Sequence, residues 1–61
     1  MVEKIYYINN NAKLDEAIDF LRNLIPCFID QELIEMDYSK VSIVARVEDL
    51  KVIETNLAPL V

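Results

Sequence analysis

Two hydrophobic periodicities run along this chain, and they occupy separate stretches. Leu14, Ala17, Ile18, Leu21, Leu24 and Ile25 recur at helical spacing and make one apolar stripe. Pro26 closes that stripe, because the residue before a proline is pushed out of the helical region. Asp15 and Glu16 fall in the first turn of this predicted helix, where the helix dipole favours negative charge. Leu50, Ile53 and Leu57 form a second stripe, predicting a helix that begins near Glu48 or Asp49 and stops around Asn56–Ala58, ahead of Pro59. Between the two stripes the period changes to two. Val41, Ile43, Ala45 and Val47 share one side of a strand, with Ser42, Val44 and Arg46 on the other. Earlier, Ile34, Met36 and Tyr38 alternate with Leu33, Glu35 and Asp37. Near the N-terminus Lys4–Ile8, "KIYYI", is rich in β-branched and aromatic residues and reads as a strand buried on both faces.

The chain has no glycine, so its turns need another chemistry. Asn9–Asn11 supplies one, since asparagine tolerates left-handed backbone angles and caps helices with its side chain. For the hairpin, keeping Ile34, Met36 and Tyr38 with the apolar side of the later strand requires paired residue numbers that sum to an odd value. A two-residue loop of Tyr38 and Ser39 needs positive φ angles those residues dislike. A four-residue loop, Met36–Ser39, built around a type I turn avoids that and sets Glu35 opposite Lys40. The competing reading is a helix over Asp30–Met36, because Ile29, Leu33 and Met36 also fit helical spacing and Glu, Leu and Met favour helices. Strand continuity across the turn favours the hairpin.

The predicted order is β-α-β-β-α, an α+β domain with an antiparallel hairpin, an N-terminal strand and helices packed on one face. That order matches the first five elements of a ferredoxin-like split βαβ unit, lacking the last strand. Likeness at this level concerns the fold and carries no function. It has one physical corollary: a first strand paired on one side only leaves an open edge that invites another chain.

Composition narrows the classes. A domain of 61 residues lies near the lower limit for folding alone, burying only ~60% of its unfolded surface. Such a core supplies roughly 3–5 kcal/mol net without a staple. Cys27 is the only cysteine and histidine is absent, which excludes an intrachain disulfide and a zinc site of the usual kind. With 54% hydrophobic residues, apolar surface exceeds what so small a core can bury. This predicts self-association or a protein partner. Eleven acids against six bases give a net charge of −5, which disfavours direct nucleic-acid binding and anionic membranes. Uninterrupted apolar runs of three or four residues fall far short of the ~20 a membrane span needs. The lone thiol and the lack of a signal-peptide pattern point to the cytoplasm.

Few residues offer chemistry. Cys27 follows a helix C-terminus, whose negative end disfavours a thiolate, and no histidine can act as its base; it reads as a packing residue. Asp30, Glu32, Glu35 and Asp37 meet no basic residue between Arg22 and Lys40. In a strand, Glu35 and Asp37 share one side and Asp30 and Glu32 the other; in a helix, Asp30 and Asp37 share a face. Paired carboxylates can do acid–base work or hold calcium or magnesium, yet the calcium-loop pattern and its glycine are missing. The plain alternative is a solvated face that keeps the domain soluble. Asp15 and Asp19 make a like-charge pair costing roughly 0.2–0.5 kcal/mol, partly offset by Arg22, and read as surface charge. Tyr6, Tyr7 and Tyr38 carry the amphipathic rings enriched at interfaces. Tyr6 and Tyr7 must point to opposite faces, so one is core and the other an exposed anchor. The candidate partner-binding residues are therefore Asp30, Glu32, Glu35, Asp37, Tyr6 and Tyr38.

The expectation is a small acidic cytoplasmic interaction module, a regulator or inhibitor without enzymatic activity, metal or cofactor, that binds a partner protein or itself. In one form its carboxylates occupy a basic, nucleic-acid-binding groove on the target. The alternatives are a homo-oligomeric small-molecule-binding protein or enzyme with its site between subunits, and a purely structural oligomer.

Overall fold

The computed structural model describes residues 1–61. Strand β1, Val2–Asn9, turns Tyr6 and Ile8 inward and leaves Glu3, Ile5, Tyr7 and Asn9 exposed. It is covered on one face only, not on both as its apolar sequence predicts, because the helices lie on a single side of the sheet. Asn10 then ends the strand and caps helix α1, Asn11–Leu24, its side chain accepting the Lys13 N–H at 3.1 Å. That cap starts the helix early enough that Asp15 and Glu16 fall outside the first turn, contrary to expectation. Leu14, Ile18 and Leu21 are buried along α1, whereas Leu24 is 54% exposed at its end. The chain turns extended at Ile25, before Pro26, as the sequence predicts.

Strand β2 spans Cys27–Glu35 and β3 spans Tyr38–Ala45. The segment after Pro26 is therefore strand, and the helix alternative over Asp30–Met36 is set aside. A 3₁₀ turn, Val47–Asp49, leads into helix α2, Leu50–Leu57, and a second one, Ala58–Leu60, follows it. The sheet order is β1-β3-β2 with both neighbouring pairs antiparallel, so β1 and β2 run parallel on either side of β3. This is the split βαβ arrangement of an α+β fold. A ferredoxin-like sheet carries its fourth strand beside β1; here no strand pairs there.

The hairpin register differs from the sequence reading. Ile29 faces Ile43, Gln31 faces Val41, Glu32 faces Lys40 and Leu33 faces Ser39. After a bulge Glu35 faces Tyr38, leaving Met36 and Asp37 as a two-residue loop. The four-residue loop Met36–Ser39 and the Glu35–Lys40 pair are thus corrected. The reason is parity: the core-side residues of β2 are Cys27 and Ile29, while Ile34 and Met36 are 48% and 91% exposed. Met36 alone takes positive φ, 42°, the sign a II′ turn requires at its first central position.

The core lies between this face and the two helices. Leu14, Ile18 and Leu21 of α1 and Ile53 and Leu57 of α2 meet Ile8, Val41, Ile43 and Ala45 of the sheet. Each large aliphatic so buried contributes roughly 1.5–3 kcal/mol relative to exposure. Lys4 of β1 reaches Glu54 of α2 at 3.3 Å, and Arg46 places two nitrogens against the nearly buried Asp49 carboxylate.

Candidate functional site

All three strands alternate, so the sheet has a second face that no helix covers. The register lays it out in rows. Val44 stands between Glu3 and Phe28, and Ser42 between Ile5 and Asp30. Lys40 stands between Tyr7 and Glu32, and Tyr38 between Asn9 and Glu35. A shallow depression in the middle is lined by Glu3, Ile5, Asp30, Glu32, Lys40 and Ser42. Ser42 Oγ donates to Glu3 Oε2 at 2.5 Å, and the Tyr7 and Tyr38 rings stack with centroids 6.1 Å apart.

The bulge decides where the acids go. In an uninterrupted strand Glu35 would share the helix-side face with Ile29 and Leu33. The extra residue, Ile34, reverses the alternation and sets Glu35 opposite Tyr38, in line with Asp30 and Glu32. Glu3 adds a fourth acid from β1, and Lys40 is the one base among them. The open face thus carries three acids along the β2 edge and one, Glu3, on the β1 edge, where Ile5 and Tyr7 also lie; Val44, Ser42, Lys40 and Tyr38 of β3 run between. Ile5 and Tyr7 are about half exposed, and Phe28 is 73% exposed.

Of the residues the sequence singles out, Asp30, Glu32, Glu35 and Tyr38 come together on this face. Asp37 sits in the loop beyond it. Tyr6 does not belong to it: its ring lies in the core, 9% exposed, because β1 turns its even-numbered side chains toward the helices. Tyr7 is the exposed ring. Glu3, Ile5, Phe28 and Lys40 go unrecognised in the sequence reading, and only the β1–β3 and β2–β3 registers reveal them. The signal was the parity of Tyr7, once its partner Lys40 is known.

Other chemistry is sparse. No three carboxylate or thiol groups converge as cation ligands. Cys27 is half-buried, opposite Ala45 at the start of β2. Burial pushes its thiol pKa up, the nearby Arg22 pulls partly the other way, and Asp49 adds to the rise. On the helix side, Phe20, Leu24 and Val52 line an apolar groove rimmed by Glu48, Lys51, Thr55 and Asn56. No helix is long and apolar enough to cross a membrane. No family model, curated protein or solved structure matches the chain.

Proposed function

We propose that this protein is an interaction module that acts in the cytoplasm as a regulator or inhibitor, using the open face of its sheet to dock a basic surface of a partner protein. The observation that carries the reading is the composition of that face. The β1 edge carries Glu3 with exposed Ile5 and Tyr7, and the β2 edge carries Asp30, Glu32 and Glu35 with exposed Phe28. Exposed apolar and aromatic side chains set next to carboxylates on one uncovered face are the material of a docking surface. The stacked Tyr7–Tyr38 pair supplies rigid contact area at low entropic cost. The acidic edges would draw in a basic partner and fix its orientation, raising the association rate more than the final affinity. One such partner is a protein whose own basic groove binds nucleic acid, with the carboxylates standing in for phosphates. The one thiol offers no activated nucleophile in favour of catalysis, since burial raises the Cys27 pKa rather than lowering it.

The test is differential capture from native lysate at low and high salt. Asp30→Lys with Glu32→Lys is expected to abolish capture of a salt-sensitive partner. Asp15→Lys with Asp19→Lys, the same charge change on helix α1, is expected to leave it. Equal loss from both double variants would mean that only net charge matters, and the reading would fail.

A further inference from the structure

Both outer strands of the sheet present unpaired backbone. All backbone hydrogen bonds of the sheet lie within the β1–β3 and β2–β3 ladders, and no side chain of the protein caps a β1 or β2 backbone group. Such an edge pairs readily with another chain, unless charge opposes it. The two edges differ sharply in that respect. If β2 met β2 of a second copy antiparallel with matching faces, the three registers that pair most of the strand would set acid against acid. Centring on Gln31 puts Asp30 opposite Glu32 twice. Centring on Asp30 or on Glu32 puts that residue opposite itself. Like charges directly opposite each other destabilise a strand pair.

Strand β1 has a register free of this. Centred on Ile5, it pairs Ile5 with Ile5, Lys4 with Tyr6, Glu3 with Tyr7 and Val2 with Ile8. Three apolar pairs are formed, Ile5–Ile5 once and Val2–Ile8 twice, Glu3 meets a hydroxyl-bearing ring, and no like charges are opposed. Lys4 stands over its own Tyr6 ring, 5.8 Å from the centroid, so a cation and an aromatic ring already share this side of the strand and meet again across the seam. Lys4 also brings its counter-ion Glu54, at 3.3 Å, so the helix side of the axis stays neutral. Ile5 and Tyr7, 46% and 47% exposed, would lose water along the seam.

We infer that β1 is a self-recognition edge: two copies of the chain pair antiparallel through β1, centred on Ile5, into one six-stranded sheet. A two-fold axis perpendicular to the sheet keeps both open faces on the same side. The dimer therefore shows two acidic faces side by side, and the β2 edges, which repel one another, lie at its outer ends. This inference stands apart from the docking function, since it needs no partner protein.

Light scattering on the eluting protein tests it. The unaltered chain should run at twice its 7.1 kDa. Ile5→Lys, which opposes two ammonium groups at the axis, should run at the single-chain mass, and Phe28→Lys on β2 should stay dimeric. In case Ile5→Lys unfolds, Ile5→Cys in a Cys27→Ser background should form an interchain disulfide on mild oxidation. Phe28→Cys in the same background should not. A single-chain mass for the unaltered protein, a dimeric and folded Ile5→Lys, or a disulfide through Phe28→Cys but not Ile5→Cys would each overturn the inference.

Discussion

At the scale of single residues, a chain without glycine turns at Asn10 and Met36; Asn9, Asn10 and Asn11 take no positive φ, so of the two properties the sequence offers there only the capping is used. Asn10 caps α1, and Asn11, one residue on, anchors the far hairpin. Its Oδ1 accepts the hydroxyl of the fully buried Ser39 at 2.6 Å, and its Nδ2 reaches the Met36 carbonyl at 3.5 Å. Removing the Asn11 side chain leaves the Ser39 hydroxyl without a partner, at a cost of about 1–3 kcal/mol. Ser39→Ala should cost less, because the half-buried Asn11 can turn to water; urea denaturation of both variants checks the order. Met36 holds a left-handed conformation that costs a non-glycine residue roughly 1–2 kcal/mol, and its side chain packs on almost nothing. Met36→Gly should therefore raise stability by about 0.5–1 kcal/mol once glycine's added unfolded-state entropy is counted.

Tyr6 makes a pH prediction. Its buried hydroxyl finds no hydrogen-bond partner. Burial raises its pKa above the ordinary 10.0, with Lys4 opposing the rise and Glu54 adding to it. In the unfolded chain Tyr6 ionises first, so the stability it lends is full below about pH 10 and falls as pH climbs through the folded-state pKa. Cys27 acts with the same sign from about pH 9, so the comparison belongs in a Cys27→Ser background. There, Tyr6→Phe should flatten the alkaline loss and leave neutral-pH stability unchanged or higher, since it removes an unsatisfied buried group. An alkaline limb as steep as that of the parent would contradict this.

At the scale of elements, the parts that repeat were the legible ones. Leu14, Ile18 and Leu21 announce α1, and Val41, Ile43 and Ala45 announce the inner side of β3, because burial on one face imposes a period on the sequence. The hairpin register was not legible. Ile34, Met36 and Tyr38 alternate as a core side would, yet the bulge at Ile34 ends that alternation within the strand. A bulge is a pairing event between two strands and leaves no period in one of them. The register suggests a deletion. Without Ile34, Leu33 still faces Ser39 and Glu35 still faces Tyr38 across the same two-residue loop. Cross-strand NOEs between Leu33 and Ser39 and between Ile29 and Ile43 should persist; a wholesale slip of β2 would disprove the assignment of Ile34 as the extra residue.

At the scale of the whole molecule, 13 of 61 residues are buried, and one complete face of the sheet stays in water. The sequence showed the surplus of apolar residues and the acids of the second strand. It could not show that Glu35 joins Asp30 and Glu32, that Glu3 of β1 shares their face of the sheet, or that Tyr7 and not Tyr6 is exposed. Each of those is a consequence of pairing. The open face is the proposed docking surface, and a photo-crosslinking side chain tests that proposal directly. It would replace Phe28 on the open face in one variant and Phe20 in the helix groove in another, with irradiation in native lysate. A discrete, salt-sensitive protein adduct is expected from position 28 and none from position 20. An adduct from position 20 with none from position 28 would contradict the proposal, and would move the binding surface to the helices.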